Sequence, residues 1–238
     1  MGSTVIEVRY GTINGNGQRL ANCFKMRYAN YKSIIDRLVA LVGLLILSPI
    51  FTIIALCVMT ESRGGVVFRQ ERIGKNGRKF TMYKFRSMHG ATSDDEYRKI
   101  LQELIKSDMP HMTYKLKFQP RVTRVGALLR RSYFDELPQL FNVLKGDISL
   151  VGPRPDLPYS VEVYDDWMKE RLLVKPGMTG LWQVSGGNHL SFQEMVKLDI
   201  DYIKKQSLWT DAKILFLTLR TVLGRNGKTP KEEEAQNG

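Results

Sequence analysis

The chain has 238 residues, 43% of them hydrophobic, with a formal net charge of +12 and two cysteines. That length suits one catalytic domain with its own core, or one domain plus an anchor, and the composition excludes a polytopic membrane protein. Cys23 and Cys57 are too few and too far apart for a disulfide framework, which points to a reducing, cytosolic setting, while the basic balance fits nucleic acid, an anionic membrane surface or phosphorylated small molecules.

Residues 1–25 are polar and rich in glycine and asparagine, and are predicted to be a flexible tail. A basic lead-in then meets an uncharged apolar run from Leu38 to Met59. As a straight helix this run would measure ~33 Å, about one hydrocarbon core. It begins too late for a cleaved signal peptide. Three readings are open: a spanning helix, a helix–break–helix hairpin dipping into one leaflet, and a helix buried in a soluble core. Ser48-Pro49 sits at the midpoint, where proline removes a backbone hydrogen bond and crowds the preceding turn. Both flanks are basic, with Lys25, Arg27, Lys32 and Arg37 before the run and Arg63, Arg69, Arg72 and Lys75 after it. Positive residues prefer the cytoplasmic side, so this pattern favours both ends staying inside.

Val66 to Gln70 and Lys79 to Phe85 are strand-like, and the turn between them contains Asn76-Gly77, which predicts a β-hairpin. Residues 93–106 predict a helix, capped by Ser93 and striped by Ile100, Leu101, Leu104 and Ile105. A loop is expected over 107–120, then helical segments around Arg124–Arg131 and Asp135–Leu144. Gly152-Pro153-Arg154-Pro155 and Lys175-Pro176-Gly177 are stiff punctuation. Helices are predicted over Ser191–Lys205 and Leu208–Leu223; the second is amphipathic with an aromatic end, suited to a core face or to a membrane interface. The polar tail beyond 224 is expected to be disordered.

Asp135-Glu136 is the leading catalytic candidate. A carboxylate can attack a phosphoryl centre and split one transfer into two steps. Arg130 and Arg131 nearby would lower its pKa and keep it ionised. The same acids could instead simply start a helix, complementing its dipole. Lys84, Arg86, Arg121, Arg124, Arg130, Arg131 and Arg154 are the cations that could bind phosphate, or could face solvent and lipid headgroups. Arg154 stands out because prolines on both sides restrict its backbone. His89, His111 and His189 are isolated, so zinc is not expected. The chain has no Gly-x-Gly-x-x-Gly, no Walker loop and no nucleic-acid-binding motif, which argues against a nucleic-acid partner.

Several stretches together resemble the bacterial sugar transferases, the monotopic phosphoglycosyl transferases. They are Ser48-Pro49 in the apolar run, VVFRQERIGKNGRKFTMYKFRSM (66–88), PRVTRVGALLRRSYFDELPQLFNVLKGDISLVGPRP (120–155), KPGMTGLWQVSGGN (175–188) and residues 190–223. The likeness is to the catalytic unit with its anchor; larger members carry a further membrane domain ahead of it. The resemblance implies an α/β fold, rich in helix with a small β-hairpin or sheet. It implies a monotopic membrane protein with a re-entrant helix–break–helix at Ser48-Pro49 and amphipathic interfacial helices. The expected organisation is the tail at 1–25, the membrane hairpin at 26–62, a cytosolic catalytic domain at 63–224 and a disordered tail at 225–238.

The resemblance also implies the activity: transfer of a sugar 1-phosphate from a UDP-sugar to undecaprenyl (polyprenyl) phosphate, with release of UMP, at the start of polysaccharide synthesis. Asp135 would be the nucleophile and Glu136 its partner in proton or metal handling, with Mg²⁺ near Asp135. Lys84, Arg86, Arg130 and Arg154 would bind phosphates or hold the site. The location implied is the cytosolic face of the bacterial inner membrane, in contact with its lipid; a homodimer is compatible with the sequence. Tyr133-Phe134, Gln119 and Gly187 depart from the family pattern and leave sugar preference open. The competing reading is a non-catalytic, membrane-bound partner in a polysaccharide assembly complex.

Overall fold

The computed structural model describes residues 15–62, 64–89, 94–107 and 122–225. The predicted Ser93 cap, most of the expected loop over 107–120, residues 1–14 and the tail beyond Arg225 lie outside these residues, as does Arg121. Helix α1 runs from Gly15 to Glu61, so residues 15–25 are helical where a tail was expected. Strands β1 (Val67–Ile73) and β2 (Lys79–Phe85) form the predicted antiparallel hairpin, with Ile73 opposite Lys79. Asn76 and Gly77 both take positive φ, 56° and 76°, the geometry for which an Asn-Gly turn is suited.

The chain continues through α2 (Asp94–Ser107), α3 (Arg124–Ser132), a 3₁₀ turn at Phe134–Glu136 and α4 (Gln139–Lys145). The single helix expected over 135–144 is therefore broken at Leu137-Pro138. Strand β3 (Ser149–Val151) pairs in parallel with β4 (Gly177–Thr179), with short α5 (Pro158–Val161) and a 3₁₀ segment (Asp166–Leu173) between them. Then follow α6 (Leu181–Ser185), α7 (Phe192–Lys205) and α8 (Leu208–Arg225). Helix α7 starts with a full capping box: Ser191 and Glu194 each bond the other's backbone N–H. The result is a helix-rich α/β arrangement with two small two-stranded sheets.

Helix α1 carries a packed stripe at spacings of three or four: Tyr28, Lys32, Asp36, Ala40, Leu44, Leu47, Phe51, Ile54, Val58 and Glu61. Ala40 and Leu44 join the core of Leu140, Val143, Ile148 and Tyr202. Ile54 and Val58 join Phe85 and Leu129, with Phe51 5.4 Å from the Phe85 ring. The packing is anchored by polar contacts at both ends. Tyr28 and Lys32 donate to Asp211 at 2.8 and 2.5 Å, and Glu61 accepts from Val125 N–H at 2.8 Å. The opposite face exposes Leu38, Val42, Leu45, Ile46, Ile53, Leu56 and Met59.

The break expected at Ser48-Pro49 is absent from the hydrogen bonding: α1 is continuous across it. The reason is local. Proline at 49 leaves the Leu45 carbonyl without its helical donor, and the Ser48 hydroxyl donates to that carbonyl at 2.8 Å. By length and composition α1 could cross a membrane.

Helix α8 is apolar on two faces. Ile214 is buried and Thr218 bonds Thr179, while Trp209, Phe216, Leu219 and Leu223 are 61–80% exposed. The core reading of its sequence therefore describes one side of it, and the other side is exposed and apolar.

Candidate active site

The site lies where the α3–α4 connection crosses β2. Thr123 caps α3 by accepting from Gly126 N–H, and its own N–H donates to the Ser87 carbonyl just beyond β2. Gly126 is required there, since a Cβ would sit 2.2 Å from the Ser87 carbonyl oxygen. At the other end of α3, Tyr133 takes the left-handed conformation, φ 59°, and its N–H closes the helix. A non-glycine residue in that region is uncommon and costs of order 1 kcal/mol or more. The reversal it makes delivers Asp135 and Glu136 onto the 3₁₀ turn.

Asn142, fully buried on α4, braces the turn from the far side. Its side chain accepts from Tyr83 N–H at 3.0 Å and donates to the Thr81 carbonyl at 2.7 Å, completing the free edge of β2 as a neighbouring strand would. Two ties to β2, one before the carboxylates and one after, thus set their position against Lys84.

Glu136 Oε1 accepts from both Lys84 Nζ, at 2.7 Å, and Arg154 Nη2, at 2.8 Å. Burial alone would raise the Glu136 pKa, but Arg154 and Lys84 outweigh it and hold the carboxyl well below the usual range. Lys84 is shifted down, by burial first, with Glu136 opposing. Asp135 is 9% exposed, and none of the described residues donates a hydrogen bond to its carboxylate.

The expectation that Arg130 and Arg131 would lower the Asp135 pKa is corrected here. Its pKa is raised: desolvation dominates and Glu136 adds to it, while Lys84, Arg130 and Arg154 only partly oppose. Arg130 places its Nε on Ser87 Oγ at 2.9 Å and is close enough to act on Asp135; Arg131 is exposed and is not among the largest influences on it.

The structure therefore gathers Asp135, Glu136, Lys84, Arg130 and Arg154. It does not bring in Arg86, whose Nε donates to the Gly65 carbonyl at 2.8 Å and buttresses the loop before β1. Two arginines that sequence reasoning did not single out, Arg72 and Arg171, contact the loop that carries Arg154. No local pattern marks them, because their partners are 83 and 17 residues away. Among the described residues no group of three or more His, Cys, Asp or Glu side chains could cage a metal. Fixed cations around two carboxylates, one locked in ion pairs and one without a donor among the described residues, make a place where a phosphate oxyanion can be held beside a potential nucleophile.

The fold is thus helix-rich, with an α1 long and apolar enough to cross a membrane and two adjacent carboxylates set among Lys84, Arg130 and Arg154. Residues 27–225 match the bacterial sugar transferase family, and the chain belongs to it. It is 43% identical to the galactosyl transferase CpsE of Streptococcus agalactiae over 84% of this chain and 45% of that protein. It is 40% identical to the undecaprenyl-phosphate galactose phosphotransferase of Salmonella typhimurium, over 88% of this chain and 44% of the relative. It is 41% identical to the exopolysaccharide production protein ExoY of Rhizobium meliloti, over 79% and 83% of the two chains. The chain thus spans a little under half the length of the first two relatives and most of the third.

Proposed function

We propose that the protein transfers a sugar 1-phosphate from a UDP-sugar to polyprenyl phosphate in two steps. In the first, an Asp135 carboxylate oxygen attacks the phosphorus that bears the sugar. The Oδ–P bond forms, the bridging P–O bond breaks, and UMP leaves. In the second, an oxygen of polyprenyl phosphate attacks the same phosphorus, the Oδ–P bond breaks, and a polyprenyl diphosphate sugar is released with Asp135 regenerated. The observation that carries this reading is the contrast between the carboxylates. Asp135 has no donor among the described residues, whereas Glu136 is held ionised between Lys84 and Arg154.

Glu136 is therefore a counter-ion that fixes two cations, rather than a proton carrier: a carboxyl held that far below its ordinary range does not take up a proton near neutral pH. Lys84, Arg154 and Arg130 grip the diphosphate. A hard cation bound by one protein carboxylate and substrate oxygens fits the donor set, with Asp135 as the protein ligand. Magnesium held there would neutralise charge on the departing phosphate.

Both ends of the apolar stretch of α1 are tied to the same folded domain, through Asp211 and through Val125, with packing along the length between them. This supports a monotopic placement, since a spanning helix would carry those two ends to opposite sides of the bilayer. The exposed apolar faces of α1 and α8 then lie in the cytoplasmic leaflet, with Lys213 and Arg220 suited to anionic headgroups.

The test is UMP release by protein in nanodiscs, from a panel of UDP-sugars with undecaprenyl phosphate and Mg²⁺. Release with one donor is expected, and Asp135→Asn should abolish it while remaining folded and membrane-bound. Activity retained in Asp135→Asn would overturn the assignment of the nucleophile. No release from any donor would favour the non-catalytic partner.

A further inference from the structure

We propose that Arg171 and Arg72 are positioning residues: they hold the backbone of Pro153–Asp156 from two sides and so fix where Arg154 presents its guanidinium. The four consecutive carbonyls of this segment accept from four different donors. Gly177 N–H bonds Pro153 at 2.8 Å, Arg171 Nη2 bonds Arg154 at 3.2 Å, Arg72 Nη1 bonds Pro155 at 3.1 Å, and Ile73 N–H bonds Asp156 at 2.9 Å. Prolines at 153 and 155 fix φ and remove two N–H groups, so the segment is held almost wholly through its acceptors.

Arginine is a common phosphate ligand, but Arg171 is not placed to be one. Its side chain is 4% exposed. Nη1 is engaged by the Asp156 carboxylate and the Tyr164 hydroxyl, and Nη2 by Asp199 at 2.5 Å besides the Arg154 carbonyl. Asp199, itself fully buried on α7, aims the guanidinium at the loop from behind. Arg72 is steadied on β1 by Gln70 Oε1 at 2.6 Å. The fork of arginine is what each position uses, since one planar group must meet a carbonyl and a second acceptor together; lysine, a point donor, cannot reproduce this. The reach of Arg154 to Glu136, and to a bound phosphate, thus depends on Arg171, whose own guanidinium is taken up by other partners, and on Arg72 at the Pro155 carbonyl.

The kinetic part of the test rests on the transferase reading; the exchange part does not. In nanodiscs, Arg171→Lys is expected to lower kcat/KM for UDP-sugar about 10²-fold, the usual cost of misplacing a binding group by about 1 Å. In an Arg154→Ala background the same change should cost less than about 3-fold, because the residue being positioned is gone. Equal losses in both backgrounds would overturn the proposal, since a general stabilising role is additive. Independently of substrate, amide exchange at Gly177 and Ile73, whose N–H groups donate to the Pro153 and Asp156 carbonyls, should speed up about tenfold in Arg171→Lys while the other β1–β2 amides keep their protection. Unchanged exchange at the two amides would also overturn it. Arg72→Lys, outside the Asp199 network, carries the same two measurements if Arg171→Lys does not fold. Wild-type protein without UMP release would remove the transferase reading, and the exchange result would still decide the clamp.

Discussion

Replacing Glu136 by glutamine isolates the electrostatic work of the site. The substitution keeps shape and one neutral acceptor but strands two cations, Lys84 and Arg154, whose side chains are 17% and 31% exposed. Removing one partner of a buried ion pair costs ~3–5 kcal/mol. The residual acceptor and the partial exposure of Arg154 bring the expectation to about 3 kcal/mol. For a chain of this size that lowers the unfolding midpoint by roughly 6–12 °C. Adding Lys84→Met should recover about 1 kcal/mol or more, because the cation that lost its partner is then gone.

The pH dependence has a definite sign. The folded-state pKa of Glu136 is depressed below its ordinary 4.5, so its stabilisation is fully present above about pH 4.5 and is lost as pH falls through the folded value. The gap between wild type and Glu136→Gln should therefore be flat from pH 6 to 8 and close only in acid. Thermal unfolding in nanodiscs, followed by circular dichroism across that range, measures it. A variant within about 2 °C of wild type at pH 7, or no recovery in the double variant, would refute the paired-cation account.

Three further outcomes follow from particular contacts. Since burial raises the Asp135 pKa in the metal-free protein, its carboxyl should titrate above the ordinary aspartate value of 3.8 when followed by NMR without magnesium; titration at or below 3.8 would contradict the desolvated carboxylate. Asn142→Leu exposes the Tyr83 N–H and Thr81 carbonyl to an apolar neighbour and should cost about 2–4 kcal/mol in urea unfolding, with loss of activity from the displaced carboxylate turn. Ser48→Ala uncovers the Leu45 carbonyl at Pro49 and should lower stability by about 1 kcal/mol, whereas Ser48→Thr, which restores the hydroxyl, should not; thermal midpoints of the pair in nanodiscs decide this.

Much of this protein is written in local pattern. Alternation of polar and apolar residues with an Asn-Gly turn specifies the β1–β2 hairpin, and a Ser–Glu capping box with an apolar stripe specifies α7, because both depend on neighbours a few residues apart. The Asp135-Glu136 pair and the proline-framed Arg154 were legible for the same reason, as was the apolar length of α1. Long-range packing decided the rest. It divided the two carboxylates, since Glu136 meets cations 52 and 18 residues away while Asp135 accepts from none among the described residues. It turned an anticipated Asp135 pKa depression into a rise, because desolvation is set by what covers a group and not by its sequence neighbours. It sent Arg86 to a loop and brought Arg72 and Arg171 to the Arg154 backbone. At Ser48-Pro49 the helix hydrogen bonding continues, with a hydroxyl that reaches the one carbonyl that proline leaves bare. A sequence names the charges a site can use; which are paired, which are buried and which remain able to react depends on the distances that folding sets.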